Sequence, residues 1–410
     1  MRVDSLYSPA EADLSAVRLA RQMERLGKVL ATTSAPAARA AAEQAGLLDG
    51  TPTLDRLRRV PLLRKEFLPK IQVEAPMLGG WVSADRARKF FASPGPIHEP
   101  EGEGPDYWGT APALHAAGFR RGDVVLNSYS YHLGPAGSML EGGLLALGAS
   151  VIPGGVGNTE LQVRTASQLR ATGYVGTPSF LAALLEKADE LGLSLAIEMA
   201  GVSGEPLTES LRQRFESRGI RTQQTYAIGD MGAIAYECPR KDGLHLADRC
   251  IVELIDPETH APVVPEQPGE VVVTLLDPTY PLLRLATGDL SVLTEEPCPC
   301  GRIALRLRRI LGRVGEAVKV RGIFVHPFQL RAAMARLLQP VRCQFAVRRE
   351  QGHDEFVARV EADRPDPVLA SRLQEAVRDA TRLRATVEFV TPGSVPQEAK
   401  LLVDERSWES

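Results

Sequence analysis

Between residues 123 and 226, short apolar runs alternate with helical stretches, and this alternation constrains the fold more than any other feature of the chain. Asp123-Val-Val-Leu-Asn-Ser-Tyr129 reads as a buried strand, entered through the Gly118-Phe-Arg-Arg-Gly122 turn. A small-residue helix over 136–147 leads to a second strand at 150–153. The pattern then repeats: helix 160–171, strand 174–176, helix 179–191, strand 195–202, helix 207–217, strand 222–226. Helices between successive short strands predict a mostly parallel α/β sheet.

The flanks read differently. Residues 9–48 are expected to be helical, with Leu19, Met23, Leu26 and Leu30 at helical spacing. Lys89-Phe-Phe-Ala opens a strand that runs into a Pro/Gly loop over 93–105, and 107–117 reads as a helix. From Cys250 onward, Cys250-Ile-Val-Glu-Leu-Ile and Gly269-Glu-Val-Val-Val-Thr-Leu-Leu lie around Asp256-Pro and Gln267-Pro-Gly turns, an antiparallel β region. Beyond Gly312, strands near 318, 344–347, 356–360 and 386–390 with helices 327–338 and 367–382 make a small α+β unit. The expected organisation is therefore a large domain over 1–311 and a small one over 312–410, since 410 residues exceed one ordinary core.

Composition narrows the function classes. A net charge of −3 gives no electrostatic reason to expect nucleic acid or an acidic membrane as partner. No run reaches membrane-spanning length, and the start Met1-Arg-Val-Asp-Ser lacks an apolar signal core, so a cytoplasmic setting is expected. Five cysteines are an odd number and do not suggest a disulfide framework. Cys238, His245, Cys298 and Cys300 together make a closed tetrahedral zinc set, Cys298-Pro-Cys300-Gly being a knuckle-like turn. The alternative is two unrelated pairs of reduced cysteines, and Cys250 and Cys343 read as core residues.

Three further segments stand in order along the chain. Ser203-Gly204-Glu205-Pro206 follows a strand; a Ser-Gly turn there lets a flat ring approach the backbone, or simply caps a helix. Tyr226-Ala-Ile-Gly-Asp230 ends a strand with a carboxylate suited to a hard cation. Thr287-Gly288-Asp289 precedes a Gly312-Arg313-x-x-Glu316 segment and Lys319-Val-Arg321-Gly322.

This ordered set resembles the AMP-forming acyl-CoA ligases, specifically the phenylacetate-CoA ligase branch, over roughly residues 55–405. The resemblance implies that Asp289 accepts from the ribose hydroxyls, Arg313 touches ribose and phosphate, and Glu316 is the hinge acid between the domains. It implies that Ser203–Pro206 border the adenine, Tyr226 stacks on it and Asp230 helps hold Mg2+, although the family has Glu there. Thr391-Pro-Gly-Ser-Val-Pro-Gln-Glu-Ala-Lys400 resembles the segment whose lysine bridges carboxylate and α-phosphate. Tyr131, His132, Gly134 and Ile228 are expected to border the acyl pocket, with core packing as the alternative. The implied activity joins an aryl or arylacetic acid to a thiol, that of coenzyme A or of a carrier protein's phosphopantetheine, through acyl-AMP. A homodimer is left open.

One segment departs from the family. Where a Ser/Thr/Gly-rich phosphate loop is expected, the chain has Ser93-Pro94-Gly95-Pro96-Ile97-His98-Glu99-Pro100. Pro94 and Pro96 have no N–H to donate, while Glu99, Glu101 and Glu103 add negative charge. Ser93, Gly95 and His98 are the donors that remain. A binding protein for nucleotide or acyl-adenylate, without catalysis, is the alternative this loop raises.

Overall fold

The computed structural model describes residues 5–93, 97–321, 323–337, 339–350, 353–396 and 398–406. The chain divides into two compact units, 1–287 with 291–309 and 288–290 with 310–410.

In the first unit, five strands run parallel in the order Ser150–Pro153, Val124–Asn127, Gly173–Gly176, Met199–Val202 and Arg221–Ile228. Helices Ala136–Ala146, Thr159–Gln168, Pro178–Glu190 and Glu209–Ser217 connect them. Thr177 and Thr208 start two of these helices by accepting the amides of Phe180 and Leu211, which satisfies N–H groups that the helix itself cannot. Successive strand residues point to opposite faces. Val125, Val175 and Met199 accordingly join one apolar cluster, around Phe119 and Leu144. Leu126, Tyr174 and Ala200 join another, around Leu184 and Phe215. Full burial of each large apolar side chain contributes about 1.5–3 kcal/mol. The α/β reading of the sequence holds.

After Ile228 the direction reverses. Gly232–Glu237 pairs antiparallel with Arg221–Ile228 across a register shift at Tyr226/Ala227. The sheet then continues through Leu244–Leu246, Arg306–Arg313, Leu285–Thr294, Pro268–Leu275 and Cys250–Ile255. Short antiparallel strands can be joined by tight turns, which is why this half carries no crossover helices.

Several boundaries differ from expectation. The helix expected over 107–117 is Ala111–Ala117, because Asp106 accepts the amides of Thr110 and Ala111 and sets the start there. The strand expected over 195–202 is only Met199–Val202. The loop expected over 93–105 contains a strand, Ile97–Glu101, antiparallel to Lys89–Ser93. Burial of Ile97, Glu99 and Pro100 overrides the loop-like composition, and a two-stranded ribbon tolerates Pro100 because an edge can spare one N–H.

In the second unit, the sheet order is Thr386–Val390, His353–Glu361, Cys343–Glu350, Leu402–Asp404. Helices Pro327–Met334 and Pro367–Thr381 accompany it, and Leu330, Phe345, Val347, Phe356, Leu373 and Val377 share its core. Among the described residues no helix is long and apolar enough to cross a membrane.

Candidate functional site

The hairpin between Arg221–Ile228 and Gly232–Glu237 carries the first group of expected residues. Tyr226 lies on the last parallel strand, and its hydroxyl is 3.4 Å from Thr287 Oγ1. Asp230, the carboxylate expected to suit a hard cation, is 1% exposed. Lys65 Nζ stands 2.8 Å from its Oδ2, and neither carboxylate oxygen has a hydrogen-bond partner among the described residues. A buried carboxylate whose ion-pair partner is an ammonium suits a hard cation, with Lys65 as the charge that balances Asp230 otherwise.

Beside the hairpin lies Glu99, also 1% exposed. A Cβ at position 229 would sit 2.5 Å from Glu99 Oε1 and 3.3 Å from Ser93 Oγ, so only Gly229 leaves room for this carboxyl. Desolvation pushes the Glu99 carboxyl up to about 7; hydrogen bonding from Ser93 opposes that shift, and nearby Asp230 reinforces it. Gln72 ties the strand down, donating to the His98 carbonyl and accepting from the His98 amide, each at 2.8 Å. Ser93 ends the partner strand, and Gly95 lies outside the described residues. Lys65 and Glu99 had no motif to mark them as partners of Asp230, because the contacts bridge distant segments.

The Ser203–Pro206 turn follows Met199–Val202, with Gly204 at φ 86°. The buried Tyr129 hydroxyl holds the turn by donating toward the carbonyls of Ser203, at 2.9 Å, and Gly176, at 2.8 Å. Glu205 does not cap the following helix, which begins at Glu209 behind Thr208. Its Oε1 accepts the Ser179 amide at 2.5 Å, at the start of a neighbouring helix.

In the second unit, Asp289 Oδ1 is 3.4 Å from Arg313 Nε. Gly288 has φ 78°, and a Cβ there would approach an Arg313 guanidinium nitrogen to 3.2 Å, so glycine serves both the turn and the pair. Glu316 closes a short 3-10 helix, Val314–Glu316, and accepts the Arg313 amide at 3.3 Å. Lys400 is exposed and lines a hollow of about 480 Å³ with Glu316, Arg331 and Asp404. Arg284, five residues before Asp289, is a buried clamp of the first unit. It pairs with Glu253 at 3.1 Å and donates to the carbonyls of Arg58 and Val60, each at 2.8 Å.

Of the residues expected at an acyl pocket, Tyr131 is 37% exposed and His132 is exposed. Tyr131 donates to Glu141 at 2.7 Å and accepts from Asn127 at 2.8 Å. Their loop packs on the Lys89–Ser93 strand through the Ala92 amide and the Leu133 carbonyl, 2.8 Å apart, and Gly134 donates to His132 at 2.6 Å. Ile228 is half-buried at the end of its strand.

The cysteine and histidine donors do come together. Ligand atoms of Cys238, His245, Cys298 and Cys300 all lie within 4.8 Å of one another. The Cys238 and Cys298 sulfurs are 3.7 Å apart, and Cys300 Sγ is 3.4 Å from His245 Nε2. Tetrahedral geometry with ordinary zinc bond lengths gives about 3.8 Å for S···S and about 3.5 Å for S···N, so the donor set fits that metal. Hydrogen bonding from Cys238, followed by the influence of His245, holds the Cys300 thiol far below its usual range. A coordinating sulfur requires the same deprotonated form.

A mixed sheet with a small α+β unit, carrying these turns in this order, defines an adenylate-forming type of protein. The family model described as AMP-binding enzyme matches residues 107–274. A phenylacetate-coenzyme A ligase of Thermus thermophilus is 33% identical over 317 residues, covering 70% of this chain and 71% of that protein. The Escherichia coli phenylacetate-coenzyme A ligase is 28% identical over 316 residues, 71% of each. An open conformation of 2-hydroxyisobutyryl-CoA ligase, in complex with 2-HIB-AMP and CoA, superposes with a TM-score of 0.80 at 23% identity, over 99% of this chain and 97% of that one. The chain belongs to the phenylacetate-CoA ligase family of AMP-binding enzymes. Its class is that of AMP-forming acid–CoA ligases, which activate a carboxylic acid.

Proposed function

We propose that the protein activates an aryl or arylacetic acid with ATP and passes the acyl group to the thiol of coenzyme A or of a carrier protein's phosphopantetheine. The substrate carboxylate attacks the α-phosphorus of ATP, the bond to the bridging oxygen breaks, and pyrophosphate leaves with that bond's electron pair. The thiol then adds to the acyl carbonyl and AMP departs. In this reading Asp289 grips the ribose hydroxyls, Arg313 lies along ribose and phosphate, and Tyr226 stacks on adenine against the Ser203–Pro206 turn. Lys400 offsets the charge that develops on the α-phosphate, and Glu316 is the pivot of the smaller unit between the two steps. Asp230 would hold Mg2+, which when bound neutralises phosphate charge. Tyr131, His132, Gly134 and Ile228 border the acid, and Cys238, His245, Cys298 and Cys300 hold a structural zinc.

The observation that carries this reading is the Thr287-Gly288-Asp289 turn, where a carboxylate 18% exposed stands beside the Arg313 guanidinium. A partly exposed carboxylate with a cation at its side suits a diol adjoining a phosphate. The test is pyrophosphate release with ATP, magnesium and a panel of aromatic and arylacetic acids, followed by thioester detection with coenzyme A or a phosphopantetheinylated carrier. Tight AMP binding with no release from any acid would favour the non-catalytic binding protein.

A further inference from the structure

The first unit contains a cavity of about 270 Å³ lined by none of the residues assigned above to nucleotide, acid, magnesium or zinc. Two arginines face it, Arg249 and, from the helix Ser15–Thr32, Arg25. Arg249 is 9% exposed. It donates to the Tyr107 carbonyl at 2.8 Å, and its guanidinium carbon stands 5.9 Å from the centre of the Tyr107 ring. Gly109 makes room for it, since a Cβ there would sit 2.6 Å from Arg249 Cδ. Among the described residues Arg249 has no ion pair, and its Nε has no hydrogen-bond partner. Arg25, exposed at the rim, has neither an ion pair nor a hydrogen bond among those residues. Desolvation by the protein around it, and then the nearby Arg249 charge, lower its pKa. The carboxylates of the same wall are already engaged. Asp106 accepts the amides of Thr110 and Ala111, and Asp277 accepts from the Tyr107 hydroxyl and the Thr279 amide. Asp248 pairs with Arg21 at 2.8 Å, and Glu11 accepts from Tyr236 at 2.6 Å.

The wall thus has spare donors, both cationic, where its acceptors are taken. Arginines removed from water ordinarily meet a carboxylate or phosphate, and here neither does. The remaining wall is largely aromatic and aliphatic, with Tyr7 and Tyr107 among its rings. A cavity of about 150 Å³ holds benzene, so this one has room for a single ring and a short acidic arm. We infer that the cavity is a second ligand site, built for a small one-ring aromatic carboxylate. Its carboxylate is held by Arg25 and offsets the charge of Arg249, while its ring packs against Tyr7 and Tyr107. Because no residue of the proposed activation chemistry lines this cavity, the ligand is bound there without being consumed.

The experiment is calorimetry with phenylacetate as the probe, without nucleotide, on the full-length wild type, Arg25→Met and Arg249→Met. The wild-type isotherm should contain a component that Arg25→Met weakens about tenfold or more, the loss of a charge-assisted contact. Phenylacetamide, of the same shape without the charge, should bind the wild type about tenfold more weakly or worse. Pyrophosphate release with any acid that turns over should stay within about twofold in Arg25→Met, which separates this cavity from the place of activation. Wild type that does not bind phenylacetate, or binding unchanged in Arg25→Met, overturns the inference. Inorganic phosphate bound as tightly as phenylacetate also overturns it, because the ring would then add nothing. So does turnover that falls in step with binding, because the cavity would then serve catalysis. Arg249→Met should weaken the same component; if it does not give a cooperative melt, Arg25→Met, at an exposed position, decides the comparison.

Discussion

Removing the metal from the cysteine–histidine set should loosen the first unit by an amount its connectivity fixes. Cys238 and Cys298 are 60 residues apart in the chain, so a metal joining them closes a long loop in the unfolded ensemble. Loop-closure entropy for that length is about 14 cal/mol/K, or about 4 kcal/mol at 25 °C. For a unit of this size such a loss lowers the melting temperature by roughly 5–10 °C. The perturbation is Cys300→Ser, which removes the sulfur nearest His245. The assays are metal analysis of the purified protein and thermal melting with and without a strong chelator. Wild type should carry one zinc per chain, and chelation should bring its melting temperature down to that of Cys300→Ser. Chelator should have no further effect on the variant. Cys250→Ser, at a buried thiol outside the set, should keep the metal. Wild-type protein free of zinc, or indifferent to chelation, would refute the reasoning.

The other predictions concern the nucleotide and the sheet. Asp289→Ala should weaken AMP binding by about 1.5–3 kcal/mol, the worth of hydrogen bonds to a charged acceptor, measured by calorimetry; unchanged affinity would remove Asp289 from the ribose site. Arg212→Met should destabilise the first unit by about 3–5 kcal/mol in denaturant unfolding. It strands Glu237, a buried carboxylate that Arg212 meets at 2.8 and 3.1 Å; a loss below about 1 kcal/mol would show that Gln224 satisfies Glu237 unaided.

What the sequence made legible was local or periodic. The strands at 150–153 and 386–390 fall where their β-branched and apolar runs put them, and the parallel half of the sheet follows from helices between strands. The zinc-type donor set was readable across distance because three thiols and an imidazole share one chemistry. Three features could not be read that way. The Ile97–Glu101 strand is hidden by its prolines and acids, because its pairing depends on burial against Gln72 and the Gly229 hairpin. Arg284 stands five residues before Asp289, yet its donors go to Glu253 and two carbonyls of distant segments, which its local sequence does not show. Lys65 and Asp230 meet across a sequence separation of 165 (230 − 65), and nothing in either segment announces the other. Local propensity reports what neighbours in sequence do; these contacts are fixed by tertiary burial.

The chemistry itself can be followed with one isotope. An acid that turns over, labelled with oxygen-18 in its carboxyl group, is incubated with the protein, ATP, magnesium and coenzyme A, and the nucleotide product is weighed by mass spectrometry. Attack of the carboxylate on the α-phosphorus predicts AMP carrying one labelled oxygen, with unlabelled pyrophosphate. Label in inorganic phosphate with ADP as the nucleotide, or AMP with no label, would contradict acyl-adenylate formation.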